Sequence, residues 1–193
     1  MSDKMALKVA VDLMHVPSQV RFVRSEPLPR DVRLLLRIAA RDEEAESAAV
    51  GLTGRSRDVV REAATFFIEQ ILFAPDADSY RVLGASPQAS SNVLRRNVAL
   101  LLRWLHPDLD PQGERSIFIS RVTAAWNDLK TPERRAAYDL SQTSRNGKGG
   151  RGNSGRSRSK RRSPTSGRHR HGIDVIEFLR RAVSVILDRP LAR

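Results

Sequence analysis

Residues 90–108 read SSNVLRRNVALLLRWLHPD and carry the clearest structural signal in the sequence. Its apolar residues include four that follow one another at steps of four, three and four, which places them on one face of a helix. The helix begins at Ser90 and ends before Pro107, because the residue that precedes a proline disfavours the helical conformation. The sequence therefore predicts a long amphipathic helix followed by an exposed loop that begins with His106, Pro107 and Asp108.

Shorter helices are predicted on both sides of this long helix. Residues 79–83 fit one short helix, and about 114–129 fit an amphipathic helix that runs antiparallel to the long one. Thr131 and Pro132 open a last helix to about Leu140, with proline at the first helical position, where its missing N–H costs nothing. The predicted core residues of this all-α unit are Tyr80, Leu83, Leu94, Val98, Leu101, Leu105, Ile119, Val122, Trp126, Leu129 and Tyr138.

Four motifs in this region, in order and at matching spacing, resemble a J-domain, the module of DnaJ-like co-chaperones. They are residues 80–84 (YRVLG), 106–108 (HPD), 125–129 (AWNDL) and 132–139 (PERRAAYD). The resemblance implies a four-helix J-domain over residues 76–141, an antiparallel helical hairpin with an HPD loop. Zinc-binding cysteines and a Gly/Phe-rich stretch are absent from the sequence, so the chain resembles the minimal class that keeps only the J-domain.

The J-domain resemblance also implies a partner. It implies that His106, Pro107 and Asp108 bind a DnaK-type chaperone and stimulate its ATP hydrolysis. An exposed aspartate can accept a bidentate hydrogen bond from an arginine of such a partner. The protein itself is expected to be no enzyme, because the sequence shows neither a phosphate-binding loop nor a nucleophile–base pair.

Basic residues on the long helix are candidate contacts for an acidic chaperone surface. Arg96 and Arg103 align on its outer face, with Arg95 beside them. Ala99 and Leu100 stand where the family tends to be basic, so electrostatic steering of the partner is expected to be weaker here. Alternatively, Leu100 is covered by the N-terminal region, which would then be a packed accessory of the J-domain.

Residues 1–75 are predicted to be a mainly helical accessory region. In residues 1–25 the apolar positions 7, 9, 11 and 13 alternate with polar or small residues, a strand period that leaves a hairpin open. Asp31 is a candidate N-cap for a helix to about residue 49, which Gly51 and Gly54 end. Ser56 is the candidate N-cap of a second helix that reaches Phe73.

The net charge of +12 is concentrated in the segment C-terminal to the J-like region. Residues 142–172 hold ten basic and no acidic side chains, and no apolar residue beyond Pro164. Such a segment buries too little surface to offset its ordering entropy, so it is predicted to be a disordered Gly/Ser/Arg-rich linker. Residues 173–193 are predicted to carry an amphipathic helix, which could dock on the folded part, bind a client or other partner, or lie on a membrane surface.

Composition narrows the remaining functional classes. The chain has no cysteine, which excludes disulfides and thiolate zinc sites, and no metal site or cofactor is expected. No stretch approaches the roughly 18 apolar residues of a membrane span, and the expected location is the cytoplasm. The alternative function is an adaptor that binds nucleic acid or an anionic lipid surface weakly through its basic tail, with a degenerate J-like fold as scaffold.

Overall fold

The computed structural model describes residues 5–148 of the chain, with side chains for residues 5–144. Within this range the fold is all-α, as predicted, and contains no strand beyond an isolated bridge between Met5 and Arg30. A π-helical turn, Ile68–Leu72, continues α5, and short 3-10 turns lie at Pro17–Gln19 and Glu114–Phe118. The α-helices are α1 (Ala6–His15), α2 (Val20–Ser25), α3 (Val32–Ala39), α4 (Glu43–Thr53), α5 (Arg57–Phe67), α6 (Ser79–Val82), α7 (Ser91–Trp104), α8 (Ile119–Leu129) and α9 (Pro132–Lys148).

The N-terminal segment, whose alternating pattern left a strand hairpin open, forms the helix α1 instead. Leu7 and Leu13 are buried together with Ala6, Val9 and Ala10, which are also apolar. The alanines complete a wide helical face at steps of three and four, and this face packs against α3 and α5. The alternation of leucine and valine therefore does not indicate a strand. It arises because this helix buries a wide face that includes small residues as well.

The predicted helix over residues 31–49 is two helices. Asp31 occupies the N-cap position of α3, as predicted, but it has a φ of 62° and its side chain makes no capping hydrogen bond. Helix α3 ends at Ala39. The Asp42 carboxylate then caps α4 by accepting the Ala45 N–H at 3.1 Å. Arg37 fixes this corner with a hydrogen bond from its Nε to Asp42 Oδ2 at 2.9 Å.

Other predicted helix ends agree with the structure more closely. Ser56 caps α5 by accepting the Val59 N–H, as predicted, and Gly54 ends α4 in a left-handed conformation. The last helix is longer than predicted, because α9 continues from Pro132 to Lys148 and includes the first seven residues of the predicted disordered linker. The polar residues after Leu140 are compatible with a helix. Gln142, for example, donates from its side-chain amide to the Tyr138 hydroxyl one turn earlier. The rest of the linker and the predicted C-terminal helix lie outside the described residues.

The J-like helices and the N-terminal helices share one hydrophobic core. Helix α3 packs against α7, and the buried apolar residues of α7 and α8 belong to the same cluster as those of α1, α3 and α5. Gly84, which follows α6, has a φ of 61°, and a Cβ added there would lie 3.0 Å from Val32 Cγ1. Residues 5–75 therefore form a helical layer built against the J-like hairpin.

Two arginines of the J-like region bind main-chain carbonyls of this N-terminal layer. Arg81 donates to the carbonyls of Glu26 at 2.9 Å and Val23 at 2.8 Å. Arg121 donates to the carbonyls of Phe73 and Ala74, each at 2.6 Å, just after the π-helical turn. Carbonyls at a helix end have no partner within the helix, so these arginines satisfy main-chain acceptors that the helices leave unpaired; those of Phe73 and Ala74 belong to buried residues.

None of the helices within residues 5–148 has both the length and the apolar character that crossing a membrane requires.

Candidate functional site

The loop that follows α7 presents the HPD sequence at its turn. The His106 N–H continues the helical pattern by donating to the Arg103 carbonyl at 3.1 Å. The His106 carbonyl then accepts the N–H groups of Leu109 at 2.8 Å and Asp110 at 3.1 Å. These bonds fold the main chain back on itself and point the Asp108 side chain outward, with 85% of it exposed.

His106 and Asp108 lie against one another within this turn. The Nδ1 atom of His106 is 3.2 Å from Asp108 Oδ2 and 3.3 Å from the Asp108 main-chain nitrogen. A neutral ring with a free lone pair on Nδ1 accepts the N–H, whereas a ring protonated at Nδ1 donates to the carboxylate. In either form the exposed carboxylate can accept hydrogen bonds from a cationic group of a partner.

The back of the loop is held by residues that the sequence did not mark. Asp110 is buried, and its Oδ2 atom accepts the Arg115 N–H at 2.8 Å. Arg115 also donates from Nη1 to the Leu109 carbonyl at 3.1 Å, and its guanidinium lies 4.9 Å from the ring centre of Trp104. Trp104 lies off the predicted apolar stripe of α7, as Leu100 does, and the two residues are the sequence signal that this side of the helix is covered.

The outer face of α7 is a narrow basic stripe. Arg96 and Arg103 are exposed, and Arg95 is half-buried. Ala99 and Leu100 are half-buried and pack against the shared core, and α3 packs against this helix. The alternative in which the N-terminal region covers Leu100 is therefore consistent with the packing, and the basic surface left for a partner is small.

Acidic groups of the N-terminal layer lie near both parts of the site. The pKa of Asp42 is held below its usual value by hydrogen bonds from Arg37 and from the Ala45 N–H, and Arg103 adds a weaker attraction. Burial raises the pKa of Glu69, and the nearby Arg115 opposes this shift. The stripe on α7 and the base of the loop thus both face carboxylates from outside the J-like region.

The far end of the hairpin is fixed by a polar network. The Tyr80 hydroxyl donates to Asp139 at 2.8 Å and accepts a hydrogen bond from Arg135 Nε at 2.9 Å. Burial, with the hydrogen bond to Asp139, raises the pKa of Tyr80. The Tyr138 hydroxyl accepts the Ser79 N–H at 2.8 Å. The network joins α6 to α9, so α9 belongs to the frame that supports the loop.

The predicted core residues surround this frame as follows. Three of them, on α8 and α9, are half-buried and pack against the core, and the other eight are buried. The half-buried ones are Ile119, Trp126 and Tyr138; the buried ones are Tyr80, Leu83, Leu94, Val98, Leu101, Leu105, Val122 and Leu129. Within the residues that the structure describes, no group of acidic or histidine side chains is arranged to hold a metal ion.

Comparison with known proteins places this loop in a recognised domain. The family model described as DnaJ domain matches residues 78–139. The "Chaperone protein DnaJ" of Leifsonia xyli subsp. xyli is 36% identical over 74 residues, which are 38% of this chain and 20% of that protein. The "Chaperone protein DnaJ 2" of Streptomyces albus G is 35% identical over 75 residues, with the same coverage of both chains. The "Chaperone protein DnaJ" of Tropheryma whipplei (strain Twist) is 40% identical over 62 residues, 32% of this chain and 17% of that protein.

These similarities cover the J-like region and little else. The match spans about a fifth of the length of the first two relatives, and the family model begins at residue 78. No solved structure matches the chain.

Proposed function

Because residues 78–139 form a DnaJ domain, we propose that this chain is a co-chaperone that binds a DnaK-type chaperone and stimulates its ATP hydrolysis. The observation that carries the proposal is the state of the HPD loop. Asp108 is exposed while the main chain on both sides of it is held by hydrogen bonds. A carboxylate fixed in this way loses little conformational freedom when a partner arginine binds it.

In this proposal the chain contributes contacts and no bond-breaking chemistry. Asp108 accepts hydrogen bonds from the partner, and His106 orders the turn behind it through the contacts of its Nδ1 atom. Arg96 and Arg103 attract an acidic surface on the partner, and ATP is bound and hydrolysed by the partner alone. The protein is therefore an activator that needs no cofactor of its own, and we propose that it acts in the cytoplasm.

The N-terminal layer and the C-terminal segment are proposed to direct this activity. The family match leaves residues 1–77 and 140–193 outside the DnaJ domain, which contains the HPD sequence itself. Exposed Phe22 on α2 and exposed Leu140 on α9 offer apolar contacts for a client protein. We propose that these flanking parts bring the chaperone to a particular client or site.

A second candidate function rests on the segregated charge. Ten basic and no acidic side chains in residues 142–172 favour contacts to phosphate groups, with a strong dependence on salt. In this alternative the tail binds nucleic acid or anionic lipid, and the DnaJ domain is only a scaffold. Asp108→Asn distinguishes the two, because it should remove chaperone stimulation and leave binding by the tail unchanged.

The direct test of the proposal is single-turnover ATP hydrolysis by a DnaK-type chaperone in the presence of the full chain. We expect the wild type to accelerate hydrolysis and His106→Gln to lose the acceleration. His15→Gln is the matched control, because His15 is an exposed histidine on α1, remote in sequence from the loop. If the wild type gives no acceleration, or if both variants keep it, then the proposed function is wrong.

A further inference from the structure

The HPD loop is anchored to residues that precede the DnaJ domain. Arg115, in the 3-10 turn after the loop, is the link between the two. On one side its main-chain N–H binds Asp110 at 2.8 Å and its side chain binds the Leu109 carbonyl at 3.1 Å. Asp110 is only 8% exposed, so this side of the loop is packed against the protein.

On its other side, Arg115 meets the N-terminal layer. Its guanidinium covers Trp104, which is 1% exposed at the end of α7. Trp104 packs in turn with Phe73 and Phe118, whose rings stack with their centres 4.6 Å apart. Glu69 Oε1 lies 3.9 Å from Arg115 Nε. Phe73 and Glu69 both lie before residue 78, where the family match begins.

A guanidinium is suited to join these groups. It can donate hydrogen bonds in its plane while an aromatic ring contacts its face, so one side chain binds the loop carbonyl and stacks on Trp104 together. The stack is desolvated on the Trp104 side, where a cation–π contact is stronger than at an open surface. The loop is therefore attached at its base to a rigid aromatic cluster.

We infer that Arg115 is a positioning residue for the HPD loop, and that Phe73 and Glu69 of the N-terminal layer complete its setting. The inference rests on the proposed function, since it concerns how the same loop is presented to the chaperone. Arg115 fixes the Leu109 and Asp110 main chain, and with it the direction of the Asp108 carboxylate. The N-terminal layer thereby sets how often the loop has the conformation that the chaperone binds.

The consequence for activation is a separation of two parameters. When only a fraction of the protein molecules has the binding-competent conformation, the apparent dissociation constant equals the intrinsic constant divided by that fraction. Loosening the loop should therefore raise the concentration of co-chaperone that gives half-maximal stimulation. Maximal stimulation should be unchanged, because the chaperone selects the same loop conformation at saturation.

The test compares the full chain with Arg115→Gln, Arg115→Lys and the control Arg24→Gln. Arg24 also binds the π-helical turn, through the carbonyl and the side chain of Gln70, but its hydrogen bonds do not reach the loop. Hydrogen–deuterium exchange is measured at the Leu109 and Asp110 amides without chaperone, and stimulation of ATP hydrolysis is titrated with it. Thermal unfolding of each variant establishes that it is folded.

Arg115→Gln should speed exchange at the two loop amides about tenfold, the effect of losing one hydrogen bond to a charged group. It should raise the half-maximal concentration by at most a similar factor, in proportion to the loss of the competent fraction, with Arg115→Lys between it and the wild type. Arg24→Gln should change neither quantity. The inference is overturned if Arg115→Gln exchanges at the wild-type rate, or if Arg24→Gln gives the same acceleration at these amides.

A wild type that fails to stimulate the chaperone would refute the proposed function alone. Exchange at the two amides would still decide the role of Arg115, because that measurement needs no chaperone. Phe73→Leu extends the test to the N-terminal layer, and it should accelerate the same amides. Unchanged exchange in this variant would contradict the part of the inference that assigns a role to residues before the DnaJ domain.

Discussion

Gly84→Ala probes the contact between the DnaJ domain and the N-terminal layer. Gly84 has a φ of 61°, a conformation that costs an L-residue roughly 1–2 kcal/mol. The new Cβ would lie 3.0 Å from Val32 Cγ1, 3.4 Å from Leu36 Cδ1 and 3.4 Å from Leu72 Cδ1. Crowding of a packed core costs roughly 1–3 kcal/mol, and the lower entropy of the unfolded alanine chain returns about 0.4–1 kcal/mol.

The free energy of unfolding of Gly84→Ala should therefore fall by about 1–4 kcal/mol. It is measured by urea unfolding of the full chain, followed by circular dichroism. Gly54→Ala is the matched control, because Gly54 has a φ of 64° but nothing within 4 Å of the added atom. In the control, the free energy of unfolding should fall only by the cost of the left-handed backbone conformation. Gly84→Ala should therefore be the more destabilising by roughly 1–3 kcal/mol, the cost of crowding.

A double variant makes this prediction specific. Val32→Ala removes the nearest obstructing methyl group, so it should recover part of the loss when combined with Gly84→Ala. Equal losses in Gly84→Ala and Gly54→Ala, with no coupling to Val32, would refute the conclusion that the N-terminal helices pack on the DnaJ domain.

Two further predictions concern the corner between α3 and α4 and the stripe on α7. Asp42→Ala should lower the free energy of unfolding by about 0.5–2 kcal/mol at pH 7, where Asp42→Asn, which keeps a capping oxygen, should lose less. The folded-state pKa of Asp42 is lowered, so its contribution is present above the unfolded value and is lost as pH falls through the folded value. The difference between wild type and Asp42→Ala in urea unfolding should accordingly narrow in acid, and a constant difference would contradict the assigned cause. Arg103→Gln should slow association with a DnaK-type chaperone by about two- to tenfold at low ionic strength, and less at high salt. Association rates are measured by stopped flow, and a ratio of wild-type to variant rate that does not change with salt would exclude electrostatic steering by this residue.

The DnaJ domain was predictable because its signals are local. The helical period of α7 and α8, the proline that opens α9 and the HPD tripeptide each lie within a few residues of one another. Each feature acts through the main chain or one helix face, so a single sequence is enough to recognise it. The position of the loop and the exposure of Asp108 follow from the same signals.

The N-terminal layer was harder to predict because its helices are short and buried on more than one side. In α1 the small residues Ala6 and Ala10 share the buried surface with leucine and valine, which hides the helical period. At the corner after α3, Asp42 caps the next helix, and Arg37 holds it through a contact whose strength depends on the local fold. Asp31 is the cap predicted from the sequence, whereas Asp42, which begins a second helix, was not predicted.

The anchoring of the loop could not be predicted from sequence alone. Arg115 and Asp110 are five residues apart, but Phe73 and Glu69 reach them only through tertiary packing. Arg81 and Arg121 likewise bind carbonyls that lie more than 40 residues away in the chain. Such contacts depend on how two helical layers meet, which periodicity does not specify.

The proposed function requires this chain to meet a DnaK-type chaperone with its HPD loop and the outer stripe of α7. The most direct measurement is an NMR titration of the isotope-labelled full chain with the ATP-bound chaperone. We expect the amide signals of His106, Asp108, Arg96 and Arg103 to shift or broaden first, while those of α2 stay unchanged. Changes confined to α2 around the exposed Phe22, with the loop signals unaffected, would contradict it.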